Sequence, residues 1–172
     1  MNSYMTCHPI TCGRSTDGER AVLKLDTGPS GSAHTEGVVT RFVGNHTSVP
    51  VPRVRRVGDD WYLADWNPDA PAPDRSHAAD EAWARAAGRA LARLHADSAP
   101  RVDGYGVPER NDGRLVAPHD TWHGAALAAL RRRRTLLSGS GYADVVATVL
   151  DHLRSHPDAF AGTGPSVCCH GW

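Results

Sequence analysis

The 172-residue sequence predicts an α+β fold, and three observations carry the prediction. Short apolar runs separated by turn signals fill the first third. A proline-dense stretch over residues 67–74 interrupts the chain. Hydrophobic residues at helical spacing dominate the remainder of the chain.

After the turn signal Thr16-Asp17-Gly18-Glu19, the run Ala21-Val22-Leu23-Lys24-Leu25 predicts a strand. Ser32 stands as the N-cap of a helix expected to reach about Val43, with Gly44-Asn45 ending it. Val38, Val39, Phe42 and Val43 form its inner stripe, and Glu36 lies on the same side. Pro50 and Pro52 hold the next residues extended, and Val54 to Val57 predict a second strand. Gly58-Asp59-Asp60 reads as a hairpin turn, and residues 61–66 as the returning strand. Pro68, Pro71 and Pro73 then make a stiff linker. The expected organisation is a sheet-rich lobe over 1–66, a hinge over 67–75 and a helical lobe over 76–172.

Three helices are predicted in that second lobe. One spans about 76–96, with Trp83, Ala87, Ala90, Leu91 and Leu94 on one stripe. Another spans about 121–137, carrying Trp122, Ala126, Leu130 and Leu137. The third spans about 142–155, carrying Val145, Val146, Val149, Leu150 and Leu153, and Pro157 closes it.

Formal net charge is zero, so no bulk attraction to nucleic acid or membrane is expected. No apolar stretch approaches the ~18 residues of a membrane span. Met1-Asn2-Ser3-Tyr4 lacks a basic segment leading into an apolar one, so no signal peptide is expected. A cytoplasmic location with free thiols is therefore the expectation.

The basic residues are unevenly typed. Of the 19 Lys and Arg residues, all are Arg except Lys24. Arginine is a planar fork and lysine a compact point charge, so a site that needs a point charge on phosphate would resist the arginine bias. A lone charge in an apolar strand is unfavourable unless paired. Glu36, on the inner side of the next helix, is the candidate partner. The alternative is a solvated glutamate favoured by the helix dipole in the first turn.

Strand, strand with Lys, helix with Glu, strand, hairpin, strand and linker is the plan of a protein-kinase-like N-lobe. In wording the chain resembles the aminoglycoside phosphotransferase family. The matching segments are residues 21–25, 47–54 and 61–66, then Ala86-Ala87-Gly88-Arg89-Ala90-Leu91-Ala92-Arg93-Leu94-His95. Gly104-Tyr105-Gly106, Asp120-Thr121-Trp122 and Cys169-His170-Gly171 come next, in the family's order. The resemblance covers the chain from about residue 20 onward. It implies a small-molecule kinase that moves the γ-phosphate of ATP, with magnesium, to a hydroxyl of a small-molecule substrate. It implies that Lys24 holds the α and β phosphates, that Glu36 orients Lys24, and that the backbone of Asp65, Trp66 and Asn67 meets the adenine edge.

The family's catalytic loop reads His-Gly-Asp, with a magnesium-binding Asn a few residues later and a further magnesium-binding Asp beyond. His170 and Gly171 match, and Trp172 stands where the Asp is expected. Residues 1–16 hold a single glycine, Gly13, so no glycine-rich phosphate-covering loop is read. The expectation is a chain cut at the start of the catalytic loop, with His170 and Gly171 as its remnant and no magnesium site. Such a chain would be inactive in transfer, because tryptophan neither accepts a proton nor binds magnesium. Helices deprived of the missing strands would expose apolar stripes. The alternative is a non-catalytic nucleotide-binding or protein-interaction module.

A more remote alternative is a zinc site built from Cys7, His8, Cys12, Cys168, Cys169 and His170, whose spacings fit no common finger. His119 with His123, and His152 with His156, have the spacing of helical metal pairs but no metalloprotease pattern around them. Arg131 to Arg134 sweep a full helical turn and are expected to be solvated. Substrate identity and oligomeric state are left open by the sequence.

Overall fold

The structure is a computed structural model, and it describes residues 10–14, 19–26, 32–69 and 81–167. The described residues form two compact units, one within 1–100 together with Val167 and one over 101–166. The α+β class is borne out.

In the first unit, β1 (Ile10–Arg14), β2 (Arg20–Leu25), β3 (Val54–Val57) and β4 (Trp61–Asp65) form a four-stranded antiparallel sheet in the order β1-β2-β4-β3. Helix α1 (Ala33–His46) packs on β3 and β4. Ala21, Ala33, Phe42, Val43, Val54 and Ala64 are buried and build the core between helix and sheet. The helix sits close because residue 37 is glycine. A Cβ there would come within 2.7 Å of Tyr62 Cβ and 3.0 Å of Val57 Cγ2.

Helix α1 starts where expected, after Ser32, and ends later than expected. Ser32 occupies the N-cap, but its side chain makes no capping bond. The Asp26 carboxylate does that work, accepting from the Ala33 amide at 2.8 Å. At the other end the helix runs through Gly44-Asn45 to His46. Thr47 ends it, with its amide and hydroxyl donating to the Val43 carbonyl at 3.0 and 2.9 Å. Gly44 instead marks a close approach, since a Cβ there would lie 3.3 Å from Val51 Cγ2.

Helix α2 (Glu81–Ser98) joins the first unit through its last turns. The Asp97 carboxylate accepts from the Ser48 amide and hydroxyl, both at 2.8 Å. These bonds, the amide first, hold the Asp97 carboxyl below its ordinary range. Ser98 is fully buried, and its hydroxyl accepts from the Val167 amide at 3.1 Å. Of the expected stripe only Leu94 is buried, while Trp83 and Leu91 remain 56% and 44% exposed. The apolar period does mark a helix, and the buried member of that face is Leu94, near its C-terminal end.

The second unit is not purely helical. Strands β5 (Val102–Asp103), β6 (Glu109–Asn111) and β7 (Arg114–Val116) form a small sheet in the order β5-β7-β6. The turn between β6 and β7 is Asp112-Gly113, at φ 43 and 78. Those are the left-handed values of a tight hairpin turn. Helix α3 (Trp122–Leu136) is capped by Thr121, whose hydroxyl accepts from the Gly124 amide at 3.0 Å. Helix α4 (Ala143–Ser155) packs against α3. Leu115 and Leu150 are fully buried and anchor this unit. Val145 and Val149 are 59% and 41% exposed, so α4 buries the Leu150–Leu153 side of its stripe and leaves the other in solvent.

Candidate functional site

Lys24 lies on β2 opposite Tyr62 of β4 and Ile10 of β1. Its side chain is only 14% exposed, so its charge needs compensation. Helix α1 supplies it. The Lys24 ammonium donates to both Glu36 carboxylate oxygens, at 2.6 Å to Oε1 and closer to Oε2. A flexible-stemmed lysine is thus fixed by a carboxylate that is itself held on a packed helix. Gly37, next to Glu36, sets how near that helix stands.

Tyr62 is the residue that sequence reasoning missed. Burial first, and then the negative charge of Glu36, push its phenol up to about 12. A phenol whose folded pKa exceeds the unfolded value near 10 contributes stability that is full below pH 10 and lost as pH climbs through 12. An absorbance titration at 295 nm should therefore show a tyrosinate transition near pH 12 that Tyr62→Phe removes. A high-pH transition unchanged in Tyr62→Phe would contradict this placement. The sequence signal for Tyr62 was its position in a strand facing the only lysine, together with a glycine in mid-helix where alanine would be more favourable.

The Asp65–Asn67 segment ends β4. Asp65 donates its amide to the Arg53 carbonyl at 2.9 Å, and its carboxylate accepts from Arg55. Arg55 falls where the β3–β4 register shifts between Val54 and Arg56. That irregularity aims its guanidinium across the strand, and it also reaches Glu19 at 2.6 Å. Arg20 covers the Trp66 ring at 4.7 Å from its centroid. The Trp66 Nε1–H is buried and has no described partner. Asn67 accepts from the Asp69 amide at 3.0 Å, which closes a local turn. The structure thus brings Lys24 and Glu36 into contact, and sets Asp65, Trp66 and Asn67 consecutively at the end of the strand that pairs with the lysine strand.

A model of the phosphotransferase enzyme family matches residues 11–171 of this sequence. The chain belongs to that family. Comparison with curated proteins gives no match. Among solved structures, the chain is similar to the apoenzyme of the macrolide 2'-phosphotransferase MphH from Brachybacterium faecium, at 20% identity and a TM-score of 0.47. The likeness covers 96% of this chain and 55% of that one. The chain therefore spans little more than half the length of that protein.

In this phosphotransferase-family chain Gly13 lies in β1, while residues 15–18, between β1 and β2, lie outside the described residues. His170, Gly171 and Trp172 also lie outside them. The last described residue, Val167, is tied to α2 through Ser98. Cys7, His8, Cys168 and Cys169 are likewise outside. Among the described residues no three His, Cys, Asp or Glu side chains gather as a cation site. The histidine pairs are engaged locally. His123 Nε2 lies 2.8 Å from the Leu153 carbonyl, joining α3 to α4. The His152 and His156 rings stack at 4.2 Å, and His156 Nδ1 lies 2.8 Å from the His152 carbonyl. No helix among the described residues is long and apolar enough to cross a membrane.

Proposed function

We propose that this chain is the nucleotide-binding part of an ATP-dependent phosphotransferase that acts on a hydroxyl of a small molecule. The observation that carries the proposal is the Lys24–Glu36 ion pair, formed by the only lysine in an arginine-rich sequence. Lys24 would hold the α and β phosphates of ATP, and Glu36 would keep the ammonium aimed. The backbone at Asp65, Trp66 and Asn67 would receive the adenine edge. ATP supplies the transferable phosphoryl group, and the chain supplies positioning and charge. The acceptor is proposed as a soluble small molecule met in the cytoplasm.

Trp172 succeeds His170-Gly171, where the family resemblance places the acceptor-orienting Asp. A polypeptide of these 172 residues is therefore expected to bind ATP without transferring its phosphate. Two measurements on the purified polypeptide test this. Its melting temperature should rise at millimolar ATP, because a ligand that binds only the folded state stabilises it. With radiolabelled ATP and magnesium, no label should reach a small-molecule acceptor. An unchanged melting temperature would refute the binding, and acceptor labelling would refute the inactivity.

A further inference from the structure

The 101–166 unit holds a charged cleft that the phosphotransferase reading leaves unused. Helix α3 carries Arg131 to Arg134 and no acidic residue along its 15 positions. Among the described residues none of these four arginines forms an ion pair, although Arg114 and Arg154 in the same unit pair with Asp103 and Asp151. The run is not uniform around the helix. Arg131 and Arg134, one turn apart, line a cleft of about 620 Å³ together with Thr135, Ser138, Gly139 and Ala143, whereas Arg132 and Arg133 do not. The cleft lies between the last turns of α3, the turn after it and the start of α4. Gly139, at φ 83, leaves its rim open, since a Cβ there would meet nothing within 4 Å. Thr135 spends its hydroxyl proton on the Arg131 carbonyl at 3.2 Å, while the Ser138 hydroxyl has no described partner.

Two like charges on one helical face repel, and a shared anion removes that penalty. Guanidinium forks match phosphate oxygens in pairs and are more weakly hydrated than ammonium groups. The helix dipole accounts for cations in the final turn of α3 but not for Arg131, which lies before it. The cleft is open to solvent, and at about 620 Å³ it has room for a small phosphate ester. We propose that the Arg131–Arg134 cleft binds a small phosphate-bearing ligand, with the two guanidinium groups on the phosphate oxygens and Ser138 adding a hydroxyl donor. The site is separate from Lys24 in sequence and in compact unit, and does not depend on the ATP proposal.

Calorimetric titration of the full chain tests it, in a Lys24→Met background so that the other candidate phosphate site is silent. The probes are inorganic phosphate, pyrophosphate and glucose 6-phosphate. At least one should bind saturably, and the tightest identifies the source as inorganic or organic phosphate. Arg131→Gln with Arg134→Gln should weaken that binding at least tenfold. Arg132→Gln with Arg133→Gln removes the same charge from the same helix and should change it less than twofold. Equal losses in the two double variants, or no saturable binding of any probe, would overturn the proposal. So would a single-stranded RNA oligomer that outcompetes the small anions and responds to all four arginines alike. A readout without further mutations is the NMR signal of the arginine Nε–H groups. Pyrophosphate should shift those of Arg131 and Arg134, and shifts confined to other arginines would contradict the assignment.

Discussion

Replacing Gly104 with alanine is expected to destabilise the 101–166 unit by about 3–5 kcal/mol, the sum of a backbone and a steric penalty. Gly104 has φ 77, where a side chain is strained. A Cβ there would also stand 2.3 Å from the Ala117 carbonyl oxygen, a backbone atom that cannot swing aside. The surrounding chain is fixed on both sides. The Ala117 amide donates to the Asp103 carbonyl at 2.7 Å, and Tyr105 and His119 exchange amide bonds at 2.8 and 3.2 Å. Gly139 provides the comparison, since it has φ 83 but nothing within 4 Å of a Cβ. Gly139→Ala should therefore show the conformational penalty alone, about 1 kcal/mol. Urea denaturation of both variants separates the terms, and equal losses would show that the contact with Ala117 carries no weight.

Gly37→Val should have the second large effect, and it reaches the candidate site. The added side chain would meet Tyr62 and Val57 at 2.7–3.0 Å, so α1 must lift from β3 and β4. Overpacking of this kind costs about 1–3 kcal/mol, with a smaller helix-propensity term for the β-branched residue. Because Glu36 is carried on the same helix turn, lifting α1 also withdraws it from Lys24 and from Tyr62. The variant should lose stability in denaturant, and its Tyr62 phenol should titrate nearer the ordinary value of about 10. A stable variant with Tyr62 still titrating near 12 would mean that α1 does not depend on the close approach at residue 37.

These two glycines show what the sequence could and could not convey. Gly104-Tyr105-Gly106 was recognisable as a motif, but the reason for its glycines, a carbonyl against the chain and two positive φ angles, exists only in three dimensions. The Lys24–Glu36 partnership was legible because an isolated charge in an apolar strand demands a partner, and one lay on the inner face of the next helix. The end of α1 was misjudged because Gly44-Asn45 looks like a stop. The actual stop is made by Thr47, whose side chain and amide share one carbonyl. The β5–β7–β6 sheet was overlooked because its strands are only two or three residues long and carry charged residues among the apolar ones, although Asp112-Gly113 is a hairpin signal. Periodicity identified α2 and α4 as helices but could not say which part of each apolar face is covered, since that depends on what stands opposite.

The central claim is that Lys24, held by Glu36, is the phosphate-binding charge of a phosphotransferase-family nucleotide site. Isothermal titration of ATP into the 172-residue protein, its Lys24→Met variant and its Glu36→Gln variant tests it most directly. Saturable binding by the parent protein is expected, with at least a tenfold loss in Lys24→Met and a smaller loss in Glu36→Gln. Circular dichroism should report the same helix content in all three. ATP binding of equal strength by the parent and Lys24→Met would contradict the account.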